Sequence, residues 1–249
     1  MFVGFYQHFK LYLMEAFGLF LFMVSACFFD GMLEHPGSSW NTALPNAFTR
    51  LLVMGVAMGF TALFIFLSPL TAPSGAFINP AVTLIRWRLK EMKMSEVILY
   101  SIFQCLGGLA AVYIMAYFMG NLLTSAPVNF VVTVPGKSID AWQAAVMETV
   151  ISFIMASMVL FTSVHLRFKK YTSYLAAMLV AGFVIVSGPV SGFGMNPART
   201  LASAVPADIY TAFWIYMLMP FAGMLGAAEL FLWVKKRKLD KPVSIQSQA

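Results

Sequence analysis

Charged side chains are scarce in this chain. Only 10% of its 249 residues are Asp, Glu, Lys or Arg, whereas 60% are hydrophobic. A soluble domain carries about 25% charged residues, so this chain has too few of them to cover a surface in water. Apolar runs near 20 residues recur along its whole length, which indicates several transmembrane helices. Strands of a membrane barrel would be short and strictly alternating, and these runs are neither.

Cysteine and histidine are also rare. The two cysteines, Cys27 and Cys105, each lie deep in an apolar run, and the chain has three histidines. Neither cysteine has partners at the spacing that a metal site or a disulfide framework requires. The sequence shows no nucleophile–base pair or metal cluster on which a membrane enzyme would depend. We therefore expect no metal, no cofactor and no enzymatic activity.

The basic residues lie between or beyond the apolar runs. The net charge of +6 could suggest a nucleic-acid partner, but these are the positions of residues that determine membrane topology. If the N-terminus is cytoplasmic and the chain crosses six times, all but Arg50, Lys137 and Arg199 of the 16 Lys and Arg residues fall on the cytoplasmic side. We therefore expect a lipid bilayer around the chain, both termini in the cytoplasm, and no nucleic-acid partner.

Six apolar segments are long enough to cross a membrane. They lie near 11–29, 47–67, 97–118, 143–164, 173–187 and 210–234. Two further inserts, 68–90 and 188–206, are apolar but interrupted by prolines. Each insert is too short and too broken to cross a hydrocarbon layer of about 30 Å. The sequence therefore predicts six spans and two segments that enter the membrane without crossing it.

Each insert contains the pattern Ser-Gly-x-x-x-Asn-Pro-Ala. It reads SGAFINPAVT at 74–83 and SGFGMNPART at 191–200. Proline is well suited to the first position of a helix, where its missing N–H costs nothing, and Asn is among the best N-cap residues. We therefore predict that each motif begins a half-helix. The residues of the two motifs are Asn79, Pro80, Ala81, Asn196, Pro197 and Ala198.

The two halves of the chain repeat one another. Each half has a Glu in its first span, Glu15 and Glu148, and ends in a helix rich in small residues, GGLAA and GMLGAA. Three spans are an odd number, so the second half must be inserted upside down. Inverted repeats place their shared site near the membrane midplane. We expect one channel domain over 1–249, with halves at about 9–120 and 140–235 and a cytoplasmic tail at 236–249.

Inversion brings the N-termini of the two half-helices face to face at the membrane centre. Each N-terminus carries about half a positive charge, and each capping Asn can offer an amide N–H. Such a site suits water or another neutral hydrogen-bonding solute and repels cations and protons. The alternative is an ion-coupled secondary transporter, since carriers also use inverted repeats with broken helices. A carrier usually needs an ionisable cluster at the midplane, and the chain offers none beyond Glu15 and Glu148.

On these motifs, the chain resembles the major intrinsic protein family, the aquaporins and aquaglyceroporins, over essentially its whole length. The resemblance implies an all-α hourglass fold of six transmembrane helices and two re-entrant half-helices, with a pore in every protomer. It also implies a homotetramer in a plasma membrane, such as a bacterial inner membrane. In the family, Glu15 and Glu148 would brace the two re-entrant loops by accepting backbone N–H bonds, and Gln104 matches a further buried polar position.

The resemblance also implies an outer selectivity filter of four positions. Counting from the second motif assigns Val184, Phe193 and Arg199 to three of them. The fourth position stays open, because an ungapped alignment gives Gly59 and a single deletion in the loop after the second span gives Phe60. Arg199 is expected from the residues alone as well, since a fixed cation at membrane depth is costly unless it faces water.

The filter residues give conflicting indications of the solute. Gly, Val and Phe together would form a wide, apolar filter that passes glycerol or urea. Thr200, however, stands where glycerol channels of the family usually carry Asp. We expect a passive channel for water, with glycerol and urea as further candidate solutes and with ions and protons excluded. Glu229, in the last span, matches no family motif, and we expect it to reach towards the lysines that follow it.

Overall fold

A computed structural model describes residues 2–239 of the chain, with side chains and burial described for residues 8–237. Ten α-helices and three short 3₁₀ turns make up its regular structure, and the described part contains no strand. The helices are α1 (Phe2–Glu34), α2 (Ser39–Ala43), α3 (Ala47–Leu67), α4 (Pro80–Arg88), α5 (Met94–Met119), α6 (Asn121–Thr124), α7 (Ala141–Ser163), α8 (Thr172–Ser191), α9 (Pro197–Ala207) and α10 (Phe213–Leu239). The 3₁₀ turns are Ala72–Ser74, Asn129–Val131 and Lys169–Tyr171.

Six of these helices, α1, α3, α5, α7, α8 and α10, are long and apolar enough to cross a membrane. They correspond to the six spans predicted from the sequence. The predicted ends were less accurate: α8 continues through Pro189 to Ser191, and α10 begins at Phe213. The predicted tail begins at residue 236, yet α10 continues to Leu239, and residues 240–249 lie outside the described residues.

Helices α4 and α9 are the two half-helices that the sequence predicts inside the membrane. Both begin at the proline of the motif, Pro80 and Pro197, as expected. The Asn79 side chain accepts a hydrogen bond from the backbone N–H of Ala81, and the Asn196 side chain accepts one from Ala198. The caps therefore fix where each half-helix starts. The six spans with two half-helices confirm the predicted fold class.

Glycines allow the helices of each half to cross at close range. A Cβ on Gly107 in α5 would lie 2.0 Å from the carbonyl oxygen of Ala16 in α1. In the other half, a Cβ on Gly223 in α10 would lie 2.3 Å from the carbonyl oxygen of Thr149 in α7. No real side chain fits at these distances, so the small-residue runs GGLAA and GMLGAA are required by backbone contact. The same crossing occurs once in each half.

Glu229 was expected to reach the lysines after it, and that expectation was wrong. Its carboxylate accepts hydrogen bonds from Nε and Nη2 of Arg88, at 2.5 and 2.8 Å. Arg88 is the last residue of α4, and α4 packs on α10. The pair therefore ties the end of the first half-helix to the last span.

Candidate channel centre

The two loops that precede the half-helices follow the same unusual backbone path. Gly75 and Gly192 have φ of +99° and +77°, values that glycine adopts without steric cost. Further along each loop, Ile78 and Met195 have φ of +45° and +47°. Positive φ at such bulky residues is strained and persists only where the surroundings hold it. Each loop must therefore be held by strong contacts.

Glu15 supplies those contacts for the first loop. Its side chain is fully buried. Oε1 accepts from the Ser74 hydroxyl at 2.7 Å and from the backbone N–H of Phe77 at 3.0 Å, and Oε2 accepts from the backbone N–H of Ile78 at 2.6 Å. The Gln104 amide donates to Oε2 as well, at 2.8 Å. A carboxylate with four donors has its acceptor capacity largely filled, so Glu15 is placed to hold the loop.

Glu148 makes the matching contacts in the second loop. It is also fully buried. Oε1 accepts from the Ser191 hydroxyl at 2.6 Å and from the backbone N–H of Gly194 at 2.8 Å, and Oε2 accepts from the backbone N–H of Met195 at 2.5 Å. Tyr216 adds a hydrogen bond from its hydroxyl to the Ser191 carbonyl at 2.7 Å. The serine of each Ser-Gly-x-x-x-Asn-Pro-Ala motif thus has a specific role as a partner of the glutamate.

The two motifs meet directly at their asparagines. Asn79 Nδ2 donates to the carbonyl oxygen of Met195 at 2.8 Å, and Asn196 Nδ2 donates to the carbonyl oxygen of Ile78 at 2.6 Å. Both side chains are buried. An amide NH₂ group has two hydrogens, so each Asn keeps one for another acceptor. The N-termini of α4 and α9 therefore adjoin each other, with two remaining donors between them.

Arg199 lies one position beyond the second motif and is 8% exposed. Its Nη1 donates to the carbonyl oxygen of Val131 at 2.9 Å and to the Ser203 hydroxyl at 3.4 Å. Its other guanidinium N–H groups donate to no described residue. The Arg199 side chain is thus fixed by one edge and offers donors from the other.

The residue that fixes Arg199 was not identified from the sequence. Val131 belongs to the 3₁₀ turn Asn129–Val131, whose three residues have φ between +44° and +56°. A backbone carbonyl serves as the partner, so no residue type in this stretch marks the contact. It depends on the path of the connection between α6 and α7, which the sequence pattern does not reveal.

A cavity of ≈ 240 Å³ adjoins the two asparagines. It extends from Asn196 and Phe193 to Arg86, and apolar side chains such as Phe22 and Met155 form much of its wall. Phe22 follows Glu15 in the sequence by the same number of residues as Met155 follows Glu148. The two halves therefore contribute equivalent positions to the wall. The cavity is largely apolar, with hydrogen-bonding groups concentrated at the motifs.

Helix α8 lines this cavity with one side chain per turn. From α8, Ala176 and Val180 face the cavity, and Val184 lies one turn further along the same face. Phe193 lines the cavity itself. Val184 and Phe193 are both buried. The structure therefore places these two predicted filter residues on the interior side of the protein.

Neither of the two residues predicted on α3 faces this interior. A Cβ on Gly59 would point at α8, 2.8 Å from the Cβ of Ala181, and Phe60 is 69% exposed on the outer surface. On α3, the cavity is lined by Ala62 and Phe66. The residue one turn before Ala62 on that face is Met58, which is 2% exposed. The face of α3 that lines the cavity therefore continues to Met58, and neither Gly59 nor Phe60 lies on that face.

The chain is similar to known proteins over most of its length. Residues 5–231 match the family described as "Major intrinsic protein". "Aquaporin AqpM" of Methanothermobacter thermautotrophicus is 31% identical over 189 residues, which cover 73% of this chain and 76% of that protein. "Aquaporin NIP2-2" of Zea mays is 31% identical over 166 residues, covering 65% of this chain and 53% of that protein. The chain thus spans about half the length of this plant relative.

The fold is shared with a solved structure. The aquaglyceroporin from Plasmodium falciparum superposes with a TM-score of 0.75, covering 94% of this chain and 99% of the other. The two sequences are only 18% identical, so this likeness concerns the fold alone. Together with the six apolar helices, the comparisons show an integral membrane protein.

Proposed function

Because the chain belongs to the major intrinsic protein family, whose members are membrane channels, we propose that it conducts water and small uncharged solutes passively and excludes ions and protons. The observation that carries the proposal is the reciprocal contact of Asn79 and Asn196, which holds two half-helix N-termini together at the centre. This centre combines hydrogen-bond donors with the partial positive charge of two helix N-termini.

Exclusion of cations follows from the electrostatics of this centre. The N-termini of α4 and α9 each contribute about half a positive charge, and Arg199 adds a full one. Half-helix dipoles and an Arg are a general means by which water channels exclude protons and cations. A neutral solute can instead replace its lost hydration by accepting from the free N–H groups of Arg199 and of the two asparagines. The channel thus selects uncharged solutes over cations, and it needs neither a bound cofactor nor an energy source to do so.

The same residues argue against the ion-coupled carrier. A carrier needs an ionisable group at the midplane that is free to bind the coupling ion. Glu15 and Glu148 lie in the right region, but backbone and side-chain donors of the two loops occupy their oxygens. We infer that they are structural braces. Flux in proportion to the gradient, without saturation, distinguishes a channel from a carrier.

We further propose that Val184, Phe193, Arg199 and Met58 form the narrowest part of the pore. Val184 and Met58 each extend a cavity-lining face by one turn towards the Arg199 end, from α8 and α3 respectively. Methionine is long and flexible, so it narrows the opening more than the Gly59 of the sequence prediction and less rigidly than an aromatic ring. We propose that such an aperture still admits solutes larger than water, in particular glycerol and urea.

The test is a stopped-flow assay on proteoliposomes. Purified protein is exposed to gradients of sucrose, glycerol and urea in turn, and light scattering reports shrinking and re-swelling. Protein-free liposomes and Val184→Trp, which would fill the narrowest part, are the controls. We expect fast shrinking in sucrose and re-swelling in glycerol that rises linearly with concentration. Rates equal to those of protein-free liposomes for all three solutes would overturn the proposal.

The assembly and the orientation are further proposals. We propose a homotetramer in the plasma membrane, with both termini in the cytoplasm. Arg86, Arg88 and the basic end of α10 then share one side, as the distribution of Lys and Arg favours. Native mass spectrometry from mild detergent tests the subunit number. Labelling of a single cysteine introduced at Lys137 or at Lys169 in intact cells tests the orientation, since only Lys137→Cys should react with an impermeant reagent.

A further inference from the structure

A second arginine lines the cavity about two helical turns away from the asparagines. Arg86 lies on α4, and Asn79 and Val82 line the cavity from the same half-helix. Because these residues are three and four positions apart, they share one face of α4. Among the described residues that line the cavity, Arg86 alone carries a charge. We call its end of the cavity the inner end, since Arg86 lies on the side proposed to be cytoplasmic.

The Arg86 side chain is held by two neighbours. Its Nη1 donates to Oε2 of Glu91 at 2.7 Å, and its Cζ lies 4.9 Å from the centre of the Phe77 ring. A guanidinium at this distance is attracted to the face of an aromatic ring. Phe77 is fixed in turn, because its backbone N–H donates to Glu15 at 3.0 Å. The other N–H groups of Arg86 donate to no described residue, so they are available to a molecule in the cavity.

Three hydroxyl groups, which we call the inner hydroxyls, line the same cavity from the other half of the chain. They belong to Ser163 at the end of α7 and to Thr172 and Ser173 at the start of α8. The Ser163 hydroxyl donates to the carbonyl oxygen of Leu160, and the Thr172 hydroxyl donates to that of Thr162, each at 3.0 Å. The Ser173 hydroxyl has no hydrogen-bond partner among the described residues. A hydroxyl oxygen has two lone pairs, so each of the three can accept a hydrogen bond.

Most of the remaining cavity wall is apolar. Phe66, Val82 and Val159 are among the residues that form it. A solute that enters gives up hydration and regains hydrogen bonds only from the few polar groups on this wall, and polar groups left without a partner are costly. Arg86 supplies donors and the inner hydroxyls supply acceptors. A solute that carries both kinds of group is therefore compensated at this end of the cavity.

We propose that Arg86 and the inner hydroxyls form a second recognition site of the pore, which binds small uncharged solutes with adjacent hydroxyl or amide groups, such as glycerol and urea. The inference rests on the proposed channel function. Arg86 contacts the solute, whereas Phe77 is a positioning residue that supports the guanidinium. A water molecule can bond to the waters ahead of it and behind it, but a larger solute excludes them and depends on the wall. The site therefore favours glycerol and urea more than it favours water.

The experiment compares the ratio of glycerol to water permeability in proteoliposomes. Arg86→Met removes the donors and keeps a long side chain, and Arg86→Lys keeps a charged donor. Arg88→Met is the matched control, because Arg88 lies on the same half-helix and also pairs with a glutamate, but does not line the cavity. We expect the ratio to fall roughly tenfold in Arg86→Met, the size of one lost hydrogen bond to a charged group. Arg86→Lys should recover most of it, and Arg88→Met should keep the wild-type ratio.

Ser173→Ala tests the opposite wall of the site. Its hydroxyl bonds to no described residue, so the substitution leaves no other group without a partner. We expect the ratio to fall about threefold, the size of one hydrogen bond between uncharged groups. Ser157→Ala is the control, since it removes another unpartnered hydroxyl of the same half that lies outside the cavity wall. If Arg86→Met does not fold, an unchanged ratio in Ser173→Ala overturns the inference by itself.

The outcomes separate this inference from the channel proposal. A wild type that conducts water and glycerol, with the same ratio in Arg86→Met, overturns the inner site and leaves the channel intact. An equal fall of both permeabilities, or a matching fall in Arg88→Met, also overturns it, because either result indicates a general effect on packing or charge. A wild type that conducts water but neither glycerol nor urea overturns the inner site as well. A wild type that conducts nothing overturns the channel proposal itself.

Discussion

Asn79 and Asn196 each donate a hydrogen bond to the carbonyl of the residue that precedes the other, at 2.8 and 2.6 Å. Each also caps the half-helix that follows it. Each Asn side chain therefore caps the helix at the end of its own strained loop and also attaches that loop to the opposite one. The two half-helices cannot separate without breaking both bonds, so the position of one N-terminus sets that of the other.

This relationship predicts a large effect of Asn196→Ala on stability. The substitution removes a cap, which is worth about 1 kcal/mol, and leaves the buried Ile78 carbonyl without its donor, which costs about 1 to 3 kcal/mol. We expect a loss of about 2 to 4 kcal/mol, measured as a lower midpoint of thermal unfolding in detergent. Asn46→Ala is the control, because Asn46 caps α3 at an exposed end without any bond to a second loop. Equal shifts in the two variants would show that the cross-loop bond contributes nothing.

Glu148→Gln should disturb the second loop although it barely changes the shape of the side chain. Both carboxylate oxygens of Glu148 accept hydrogen bonds. A Gln has only one such oxygen, and its NH₂ group would face one of these donors. Losing a hydrogen bond to a charged group costs about 1.5 to 3 kcal/mol. We expect a lower unfolding midpoint together with reduced water permeability, since this loop carries Arg199.

The control for this prediction is Glu96→Gln. Glu96 accepts from the backbone N–H of Lys93 at the exposed start of α5, so water can replace the lost bond. Unchanged water permeability and unfolding in Glu148→Gln would mean that the glutamate is not a brace.

The sequence was sufficient for the fold because its main signals are local. A run of 20 apolar residues forms a helix in lipid, since a helix is the structure in which a single segment satisfies its own backbone groups. The Asn-Pro pair likewise specifies a helix start within a few residues, and both half-helices begin where Pro80 and Pro197 predicted. Repetition of the motif then implied that the two starts meet.

The sequence was insufficient where a contact depends on the path of the chain. Met58, which we propose for the pore, was not among the predicted candidates. The loop between α3 and α4 contains the 3₁₀ turn Ala72–Ser74, so counting residues back from the first motif does not give the helical register of α3. The pairing of Glu229 with Arg88 joins residues 141 positions apart. The Val131 carbonyl that holds Arg199 is a backbone group and has no signature at all.

Arg199→Val should weaken the exclusion of cations and protons while water still passes. Arg199 adds a full charge to the partial charges of the two half-helix N-termini, and Val removes it without enlarging the loop. We expect a measurable proton leak into liposomes under a K⁺ diffusion potential. A pH-sensitive dye inside the liposomes measures this leak. Arg50→Gln is the control, because Arg50 is held by Glu34 and should not set the barrier. A proton leak in Arg199→Val no greater than in the wild type would contradict the role of Arg199 in exclusion.

The last prediction distinguishes the three neighbouring residues on α3. If Met58 lines the narrowest part of the pore, Met58→Trp should reduce glycerol flux strongly, because the ring projects towards Phe193 and Arg199. Phe60→Trp should leave flux unchanged, since Phe60 is 69% exposed on the outer surface. Gly59→Trp should instead reduce stability, because a Cβ alone would lie 2.8 Å from the Cβ of Ala181 in α8, and overpacking of this kind costs about 1 to 3 kcal/mol or more. Stopped-flow re-swelling measures the first two, and the unfolding midpoint measures the third. A large loss of glycerol flux in Phe60→Trp with none in Met58→Trp would show that α3 presents a different face to the pore.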